Sequence, residues 1–326
     1  GAYEFRNWYV NWAAVGANNG LSWADAFTDL PSALATASGG EQIWVAAGTY
    51  YPVPMGAYDA VSPERDISFV IPEQVAVLGG FNGSETSIAL RDWKTNVTIL
   101  SGDIGRNDAG TWPALTNTDE NSQCIVIGNY DVLFDGFVVT RGNLTSGGRT
   151  AAGFNAVYVW NIEIANCVFT ENAASIPAYM SAGVYAVNSG IYITDTEFRD
   201  NYAANSGCSG VGSQDWSNIQ IDCCRFIRNA VGGGDSGAVF MYNGGSTNVY
   251  NSLFDGNTGF KGAATFNYWN WGTMNLVNCT FINNEANAGS GGGNAVQVID
   301  ASNQLFNCIV WNDNAVSEIA YSGGAS

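Results

Sequence analysis

The stretch Ile221-Asp-Cys-Cys-Arg-Phe226 decides the fold of this chain, because five other copies of the same pattern accompany it at a nearly fixed interval. Each copy has an aliphatic first residue and an apolar last one, and the others span residues 164–169, 193–198, 249–254, 276–281 and 305–310. The last position recurs at steps of 29, 28, 28, 27 and 29 residues. A fixed period of roughly 20–50 residues indicates a solenoid, a propeller or another repeat array.

Each copy is predicted to be two short strands joined by a one-residue bend. The first and fourth positions are three residues apart, so one period-two strand cannot point both of them and the sixth position inward. Asn and Asp tolerate the left-handed backbone that such a bend requires. The bend residues, which stacking would align as a structural side-chain ladder, are Asn166, Asp195, Asn251, Asn278 and Asn307.

A second turn and a third strand complete the repeat. The second turn is marked by Asn172, Asn201, Asn229, Asn257 and Asn284. The third strand lies upstream, as in Gly183-Val-Tyr-Ala-Val187. Three short strands in each turn of about 28 residues are typical of a parallel β-helix, in which like residues stack about 4.8 Å apart. We therefore predict an all-β parallel β-helix of about nine or ten turns.

Composition excludes several classes of function. The formal net charge of −18 opposes binding to nucleic acid, which depends on neutralising phosphates. The absence of histidine removes histidine-based catalytic triads and histidine metal ligands. No apolar run approaches the roughly 20 residues that span a bilayer, so we expect no membrane insertion.

The seven cysteines do not form a zinc-binding pattern, because no CxxC pair occurs. Cys167, Cys224, Cys279 and Cys308 share one inward position of the repeat, where cysteine acts as a small apolar residue. We expect free stacked thiols, with Cys279 and Cys308 as the strongest candidates for a disulfide. No cofactor other than a calcium ion is anticipated.

The first part of the chain has a different pattern. Residues 1–52 are predicted to form a strand extension and a cap, and residues 53–326 a single continuous β-helix. Ser22 is a candidate N-cap for a helix over residues 23–37, which Pro31 would kink or split. An open end of a solenoid exposes core and unpaired backbone, so this helix is expected to cap it. The polar residues 105–121 are predicted to be a protruding loop.

Several segments resemble a known group of proteins. Asn18-Asn-Gly-Leu-Ser-Trp23, Ile43-Trp-Val-Ala-Ala-Gly-Thr-Tyr-Tyr-Pro52 and Gly79-Gly-Phe81 look like the opening of secreted bacterial right-handed β-helix proteins of the pectate-lyase-like superfamily. Asn307-Cys-Ile-Val-Trp311 is similar to the last turn of choice-of-anchor Q proteins. The resemblance implies a right-handed helix and a secreted or cell-surface location. That family has no agreed activity, so no catalytic residue is carried over.

The acidic side chains favour ion pairs over catalysis. Glu197 is predicted to stack on Arg225, and Asp200 on Arg228, as opposite charges on neighbouring strands do. We therefore expect no hydrolase or lyase activity. Asp103 and Asp108 flank the polar loop and are candidate ligands for calcium, although their spacing is not that of a calcium-binding loop.

Three tryptophans lie at predicted turns rather than in core columns: Trp216, Trp269 and Trp271. Exposed aromatic rings stack on sugar rings or become buried in protein interfaces. These residues are candidates for binding a polysaccharide. The alternative is that they cover the flank of the solenoid itself.

The two ends of the chain suggest self-association. Residues 1–12 alternate as a strand does, with Tyr3, Phe5 and Trp8 as candidate contacts to Ile319 and Tyr321 of another copy. Head-to-tail strand addition would build open filaments. We thus predict a non-enzymatic extracellular structural or adhesive protein. The alternatives are a carbohydrate-active enzyme or sugar-binding module of the pectate-lyase-like type, and one domain of a larger surface adhesin.

Overall fold

The computed structural model describes residues 6–53, 64–146, 148–176, 180–205, 207–233, 237–269, 271–286, 293–311 and 317–322. Over these residues the chain is an all-β parallel solenoid built from four parallel sheets, numbered 1 to 4 below. A turn that contains all four strands passes through sheets 3, 1, 2 and 4 in that order. The described residues contain no helix with the length and apolar composition that crossing a bilayer would require.

Sheet 1 has ten described strands and contains the first half of each repeated copy. Its strands are Asn7–Val10, Gln42–Ala46, Ala76–Phe81, Leu133–Asp135, Ile162–Ala165, Gly190–Thr194, Asn218–Asp222, Ser246–Tyr250, Thr273–Val277 and Ser302–Phe306.

Sheet 2 has nine described strands and contains the second half of each copy. Its strands are Gly48–Tyr50, Thr98–Ser101, Phe137–Thr140, Val168–Thr170, Glu197–Arg199, Arg225–Ile227, Leu253–Asp255, Thr280–Ile282 and Ile309–Trp311.

Sheets 3 and 4 complete the turn. The nine described strands of sheet 3 are Phe69–Val70, Val126–Ile127, Phe154–Val157, Val184–Val187, Val211–Gln214, Val239–Tyr242, Thr265–Tyr268, Val296–Ile299 and Ile319–Ser322. The six described strands of sheet 4 are Asn143–Leu144, Ala173–Ala174, Tyr202–Ala203, Ala230–Val231, Thr258–Gly259 and Glu285–Ala286.

Sheet 4 corrects the prediction of three strands in each turn. Its strands have two residues each, which is too short for an alternating pattern to show in the sequence. All four strands occur together in about six successive turns of the described chain, fewer than the nine or ten turns predicted. Residues 102–125, between a strand of sheet 2 and the next strand of sheet 3, take the place of a sheet 4 strand.

The repeat predicts the register of the core. Ile164 pairs with Ile193, and the column continues through Ile221, Val249, Leu276 and Leu305. The phenylalanine rings of sheet 2 stack face to face, with centroids 5.1 Å apart for Phe169 and Phe198 and 4.7 Å apart for Phe226 and Phe254. The bend residues have the expected left-handed backbone, with φ of 52° at Asn166 and 50° at Asn251.

The helix near the N-terminus is shorter than predicted and begins later. It spans Leu30–Thr36, with Asp29 as its N-cap accepting a hydrogen bond from the backbone nitrogen of Ser32 at 2.8 Å. Ser22 instead forms a local turn with Asp25. Pro31 lies in the first turn, where a backbone N–H would have no acceptor within the helix. Pro31 is therefore compatible with the start of the helix and does not kink it. A short 3₁₀ helix spans Ile88–Leu90.

The seven cysteines are all free in the structure. Cys167, Cys224 and Cys279 are buried in the core column, as predicted, and Cys308 is half-buried in the last described turn of that column. The candidate disulfide between Cys279 and Cys308 is not formed.

Candidate functional site

A segment that leaves the solenoid after sheet 2 strand Thr98–Ser101 forms one wall of the candidate site. We call residues 102–121 the cleft loop. Its two arms are joined by a pair of backbone hydrogen bonds between Ala109 and Thr116, at 3.2 and 2.9 Å, and by the Asn117 amide, which donates to the carbonyl of Asn107 at 2.9 Å. The protruding loop predicted over residues 105–121 is therefore internally organised.

The base of the cleft loop is fastened to the solenoid by one guanidinium group. Arg65 donates through Nε to the carbonyl of Asn121 at 2.8 Å, and through its terminal nitrogens to the carbonyl of Asn143 at 2.6 Å and to Thr145 Oγ1 at 2.7 Å. The Asn143 amide also donates to the carbonyl of Thr118 at 2.9 Å. The loop thus has a defined position over the turns that follow it.

A cleft of about 710 Å³ lies between the cleft loop and those turns. Trp112, Pro113 and Leu115 line it on the loop side. The solenoid side is lined by polar and small residues at the corner between sheets 2 and 4, among them Asn143, Ala173, Asn201, Tyr202 and Ala230. Aromatic and hydrogen-bonding side chains therefore face the same space.

Four charged residues from successive turns also line the cleft, and we call Arg141, Glu171, Asp200 and Arg228 the charged column. Arg141 contacts Glu171 at 2.9 Å, and Arg228 contacts Asp200 at 2.7 Å. All four have a left-handed backbone, with φ between 50° at Arg228 and 69° at Arg141. Asn or Gly would adopt this conformation more readily than arginine or glutamate, which lose roughly 1–2 kcal/mol in it.

An acidic cluster, which we define as Asp103, Asp108 and Glu120, lies behind the cleft. One carboxylate oxygen from each falls within 4.8 Å of the others. Asp103 accepts hydrogen bonds from the backbone nitrogens of Asn107 at 3.1 Å and Asp108 at 3.3 Å. The cluster adjoins the charged column, because Arg141 approaches Asp108 at 3.5 Å. It contains both predicted calcium ligands, Asp103 and Asp108.

Burial dominates the electrostatics of this cluster. It raises the pKa of Asp108 to about 6, and the negative charge of Asp103 adds to the increase, while the hydrogen bond from Asn121 opposes it. Burial also raises the pKa of Glu120. Both shifts show that a negative charge is poorly solvated here, which is the environment that a bound cation would relieve.

The chemistry of the cleft favours binding over proton transfer. Both carboxylates that line it, Glu171 and Asp200, are paired with guanidinium groups, and a paired carboxylate is a poor general acid. The chain contains no histidine to take that role. The predicted ion pairs on neighbouring turns are present, with Glu197 and Arg225 at 3.0 Å in addition to Asp200 and Arg228.

The three predicted sugar-stacking tryptophans lie elsewhere, at the corner between sheets 3 and 1. All three are exposed, and Trp271 is 89% exposed. Trp269 and Trp271 share one turn, with Trp269 packed near the rings of Tyr242 and Tyr268 at 6.1 and 6.4 Å, whereas Trp216 lies two turns earlier. Their contact with sugar stays a prediction.

The bend residues form only part of a ladder. Amide hydrogen bonds run from Asn307 to Asn278 at 2.7 Å and from Asn278 to Asn251 at 3.1 Å, at the protein surface. Asn251 then donates to Asp222, and Asn166 to Asp135. At Asp195 the column contains a carboxylate that cannot donate, and the next bend residue is Cys223.

A continuous buried amide ladder occurs at the second turn of the repeat instead. Four bonds, each from the side-chain amide of one residue to the Oδ1 of the next turn's residue at 2.9 to 3.2 Å, join Asn172, Asn201, Asn229, Asn257 and Asn284. All five are almost completely buried. The sequence identified these positions only as turn markers, although their regular recurrence was the available signal.

The predicted assembly residues are not equivalent in the structure. Trp8 is 7% exposed and pairs with Ile43, which places it at the start of the inward column that leads to Ile164, so its prediction as an interface residue is wrong. The adjacent Tyr9 is also apolar, which left the inward face ambiguous in the sequence. Tyr3 and Phe5 lie outside the described residues. Ile319 and Tyr321 lie partly exposed on the last described strand of sheet 3.

Sequence reasoning did not identify the cleft itself. Arg141, Glu171 and Tyr202 lie at the same corner of successive turns, but Trp112 lies in the cleft loop, which is not part of the repeat. Arginine and glutamate at turn positions that otherwise contain Asp, Asn or Gly were the only local signal.

No protein-family model matches the sequence, and no curated protein matches it. The structure is similar to that of pectate lyase Pel9A, with a TM-score of 0.45 and 15% identity over 98% of this chain and 79% of that chain. It is also similar to a rhamnogalacturonan lyase, with a TM-score of 0.41 and 12% identity over 93% of this chain and 74% of that chain. A polygalacturonase from Erwinia carotovora ssp. carotovora gives a TM-score of 0.37 and 10% identity over 98% of this chain and 97% of that chain. At these identities and TM-scores, the likenesses do not bear on the activity of this chain.

Proposed function

We propose that this chain is a secreted, non-enzymatic β-helix protein that binds a segment of neutral polysaccharide in the cleft, either as a free protein or as one domain of a larger adhesin. The observation that supports this most is the composition of the cleft. Trp112 and Tyr202 provide ring faces, while Asn143 and the charged column provide donors and acceptors for hydroxyl groups.

The backbone of the charged column supports a binding role. Arg141, Glu171 and Arg228 occupy left-handed positions at a cost in conformational energy that Asn or Gly would avoid. Strain of this kind is commonly retained at functional sites. We infer that these side chains are retained for what they contact in the cleft.

The net charge selects the class of polysaccharide. A formal charge of −18 repels polyanions such as pectin and alginate. The cleft arginines do not reverse this, because Arg141 and Arg228 are already paired with carboxylates. A neutral polysaccharide meets no such repulsion and gains the ring and hydroxyl contacts.

The test is affinity gel electrophoresis of the full chain against neutral and uronic-acid polysaccharides, with product assays on the same samples. We expect at least one neutral polysaccharide to retard the protein, without new reducing ends or unsaturated products. Retardation by none of them would refute the proposal. Turnover that Asp200→Asn or Asp195→Asn abolishes would replace it with the enzymatic alternative.

A second candidate function is end-to-end self-association, and the last described turn favours it. This turn exposes three large apolar side chains within six residues, and they are Phe306, Ile309 and Trp311. The other end is covered: Tyr9 bonds both Gly20 and Phe27 through its backbone, and the helix Leu30–Thr36 buries Leu30 and Leu34 against the core, which we take as a cap. We therefore propose that a second copy contacts the last turn, and not Trp8.

The matched pair of variants for this candidate is Ile309→Lys and Thr280→Lys, because the two positions are register partners on neighbouring strands. Sedimentation velocity should show association of the wild type and of Thr280→Lys, and a monomer for Ile309→Lys. Equal behaviour of all three proteins would refute self-association through this turn.

A further inference from the structure

The acidic cluster brings three carboxylates together with little compensating charge. Glu120 is 6% exposed, and the side chain of Asp108 is 4% exposed. One oxygen of each lies within 4.8 Å of the other and of Asp103. Like charges this close in a poorly solvated place repel one another strongly unless a cation accompanies them.

The nearby guanidinium groups are engaged elsewhere. Arg141 has its short contact with Glu171 at 2.9 Å, and reaches Asp108 only at 3.5 Å. Arg65 donates to two carbonyls and a hydroxyl at the base of the cleft loop. Arg106 lies over the ring of Tyr51 at 4.1 Å. None of the three supplies a close counter-charge to the whole cluster.

An independent observation points to a ligand. Three buried side-chain oxygens here have no hydrogen-bond partner, and they are Asp108 Oδ1, Glu120 Oε1 and Asn121 Oδ1. Asn121 adjoins the cluster, because its Nδ2 donates to Asp108 Oδ2 at 3.0 Å. Buried oxygens in native proteins are almost always paired, so two unpaired oxygens within the cluster and one on the adjoining Asn121 indicate a missing electropositive partner.

We propose that Asp103, Asp108 and Glu120 bind a calcium ion that fastens the cleft loop. Calcium accepts six to eight oxygen ligands in flexible geometry, and three carboxylates with ordered water satisfy that requirement. All three ligands are oxygen donors, a set that suits hard cations and not zinc or copper. Magnesium fits less well, because it demands a near-octahedral arrangement and retains its water.

The ion would act on the shape of the cleft. Asp103 and Asp108 lie in the first arm of the cleft loop, and Glu120 lies in the second, on either side of the Ala109–Thr116 pair. A cation shared by both arms closes the loop at its base and so holds Trp112 over the solenoid. The calcium site is independent of what the cleft binds.

The test is isothermal titration of the chelator-treated 326-residue chain with calcium chloride, in parallel with Asp108→Asn and Asp103→Asn. The control is Glu163→Gln, an exposed carboxylate on the outer face of sheet 1. We expect one calcium ion for each chain, affinity reduced about tenfold or more in both cluster variants, and no change in the control. Far-UV circular dichroism establishes which variants are folded, and either folded cluster variant suffices.

Limited proteolysis provides a second readout, because Arg106 is a trypsin site within the cleft loop. Calcium should slow cleavage after Arg106 in the wild type and in Glu163→Gln, and have no effect in Asp108→Asn. Binding that is equal in wild type and cluster variants would overturn the proposal, as would tighter binding of magnesium than of calcium. No polysaccharide enters either assay, so these results are separate from those that test the proposed function.

Discussion

Asp200 and Arg228 lie on adjacent turns and are joined by two hydrogen bonds, from Nε to Oδ1 at 2.8 Å and from a terminal nitrogen to Oδ2 at 2.7 Å. This bidentate geometry fixes both side chains on the wall of the cleft. The stacking of these two residues follows from the repeat in the sequence, whereas their position beneath the cleft loop does not.

Asp200→Asn should weaken polysaccharide binding with little effect on stability. Arg228 is 60% and Asp200 24% exposed, so the pair contributes less than about 1 kcal/mol to the free energy of unfolding. The matched control is Glu197→Gln, because the Glu197–Arg225 pair has nearly the same exposure, 24% and 58%, and lies outside the cleft. Binding isotherms and chemical denaturation of both variants check the prediction. Equal losses of affinity in the two variants would argue against a role of the cleft.

Phe226→Ala should destabilise the solenoid by about 3–5 kcal/mol, because it leaves a cavity in the middle of a ring stack. The Phe226 ring is completely buried, with its neighbours 5.0 and 4.7 Å away between centroids. Urea denaturation measures the change. Leu253→Ala, on the outward side of the next strand of sheet 2, serves as the control and should cost much less. Similar losses in the two variants would contradict the core register.

Asn229→Ala should destabilise the protein by at least about 2 kcal/mol, since buried groups lose their partners. The Asn229 amide donates to the carbonyl of Phe198 at 2.8 Å and to Asn257 Oδ1 at 3.0 Å, and its Oδ1 accepts from Asn201 Nδ2 at 3.0 Å. Asn278→Gly removes an exposed amide at a left-handed position that glycine tolerates, and should cost less. Thermal denaturation of both variants would show no difference if burial of the ladder did not matter.

The contribution of Asp108 to the stability of the calcium-free protein should fall as the pH rises from about 4 to about 6, because burial raises the pKa of this carboxyl to about 6. The folded state then binds a proton that the unfolded state has released, so this stabilisation is present below the window and absent above it. The amide in Asp108→Asn cannot ionise, so this variant should lack this part of the dependence of stability on pH. Melting temperatures in chelator at about pH 4.5 and about pH 7.5 test the difference between the two proteins. Parallel pH profiles would contradict the assignment.

The sequence was sufficient to predict the parts of the fold that repeat. The column from Ile164 to Leu305 and the phenylalanine stack follow from a period of 27 to 29 residues, because parallel pairing brings equivalent positions together in successive turns. The left-handed bend at Asn166 follows from the conformational tolerance of asparagine. These features depend on local patterns that recur.

Features without a repeat were not predictable in the same way. Trp8 lies beside the equally apolar Tyr9, so the pattern did not show which of them faces the core. The sequence pattern favoured Ser22 as the N-cap, whereas the structure has Asp29 in that role, with Pro31 in the first turn of the helix. The cleft depends on contacts of the cleft loop with later turns, which carry no local signature.

The proposed binding site is the cleft, and not the corner that carries the exposed tryptophans. Equilibrium binding of Trp112→Ala and Trp271→Ala to the polysaccharide that retards the wild type tests it most directly. Neither ring is fully buried, so both variants should fold. We predict at least about a fivefold loss of affinity for Trp112→Ala, since removing a stacked ring costs about 1–3 kcal/mol, and wild-type affinity for Trp271→Ala. Loss of affinity in Trp271→Ala with wild-type binding by Trp112→Ala would show that the polysaccharide binds at the tryptophan corner and not in the cleft.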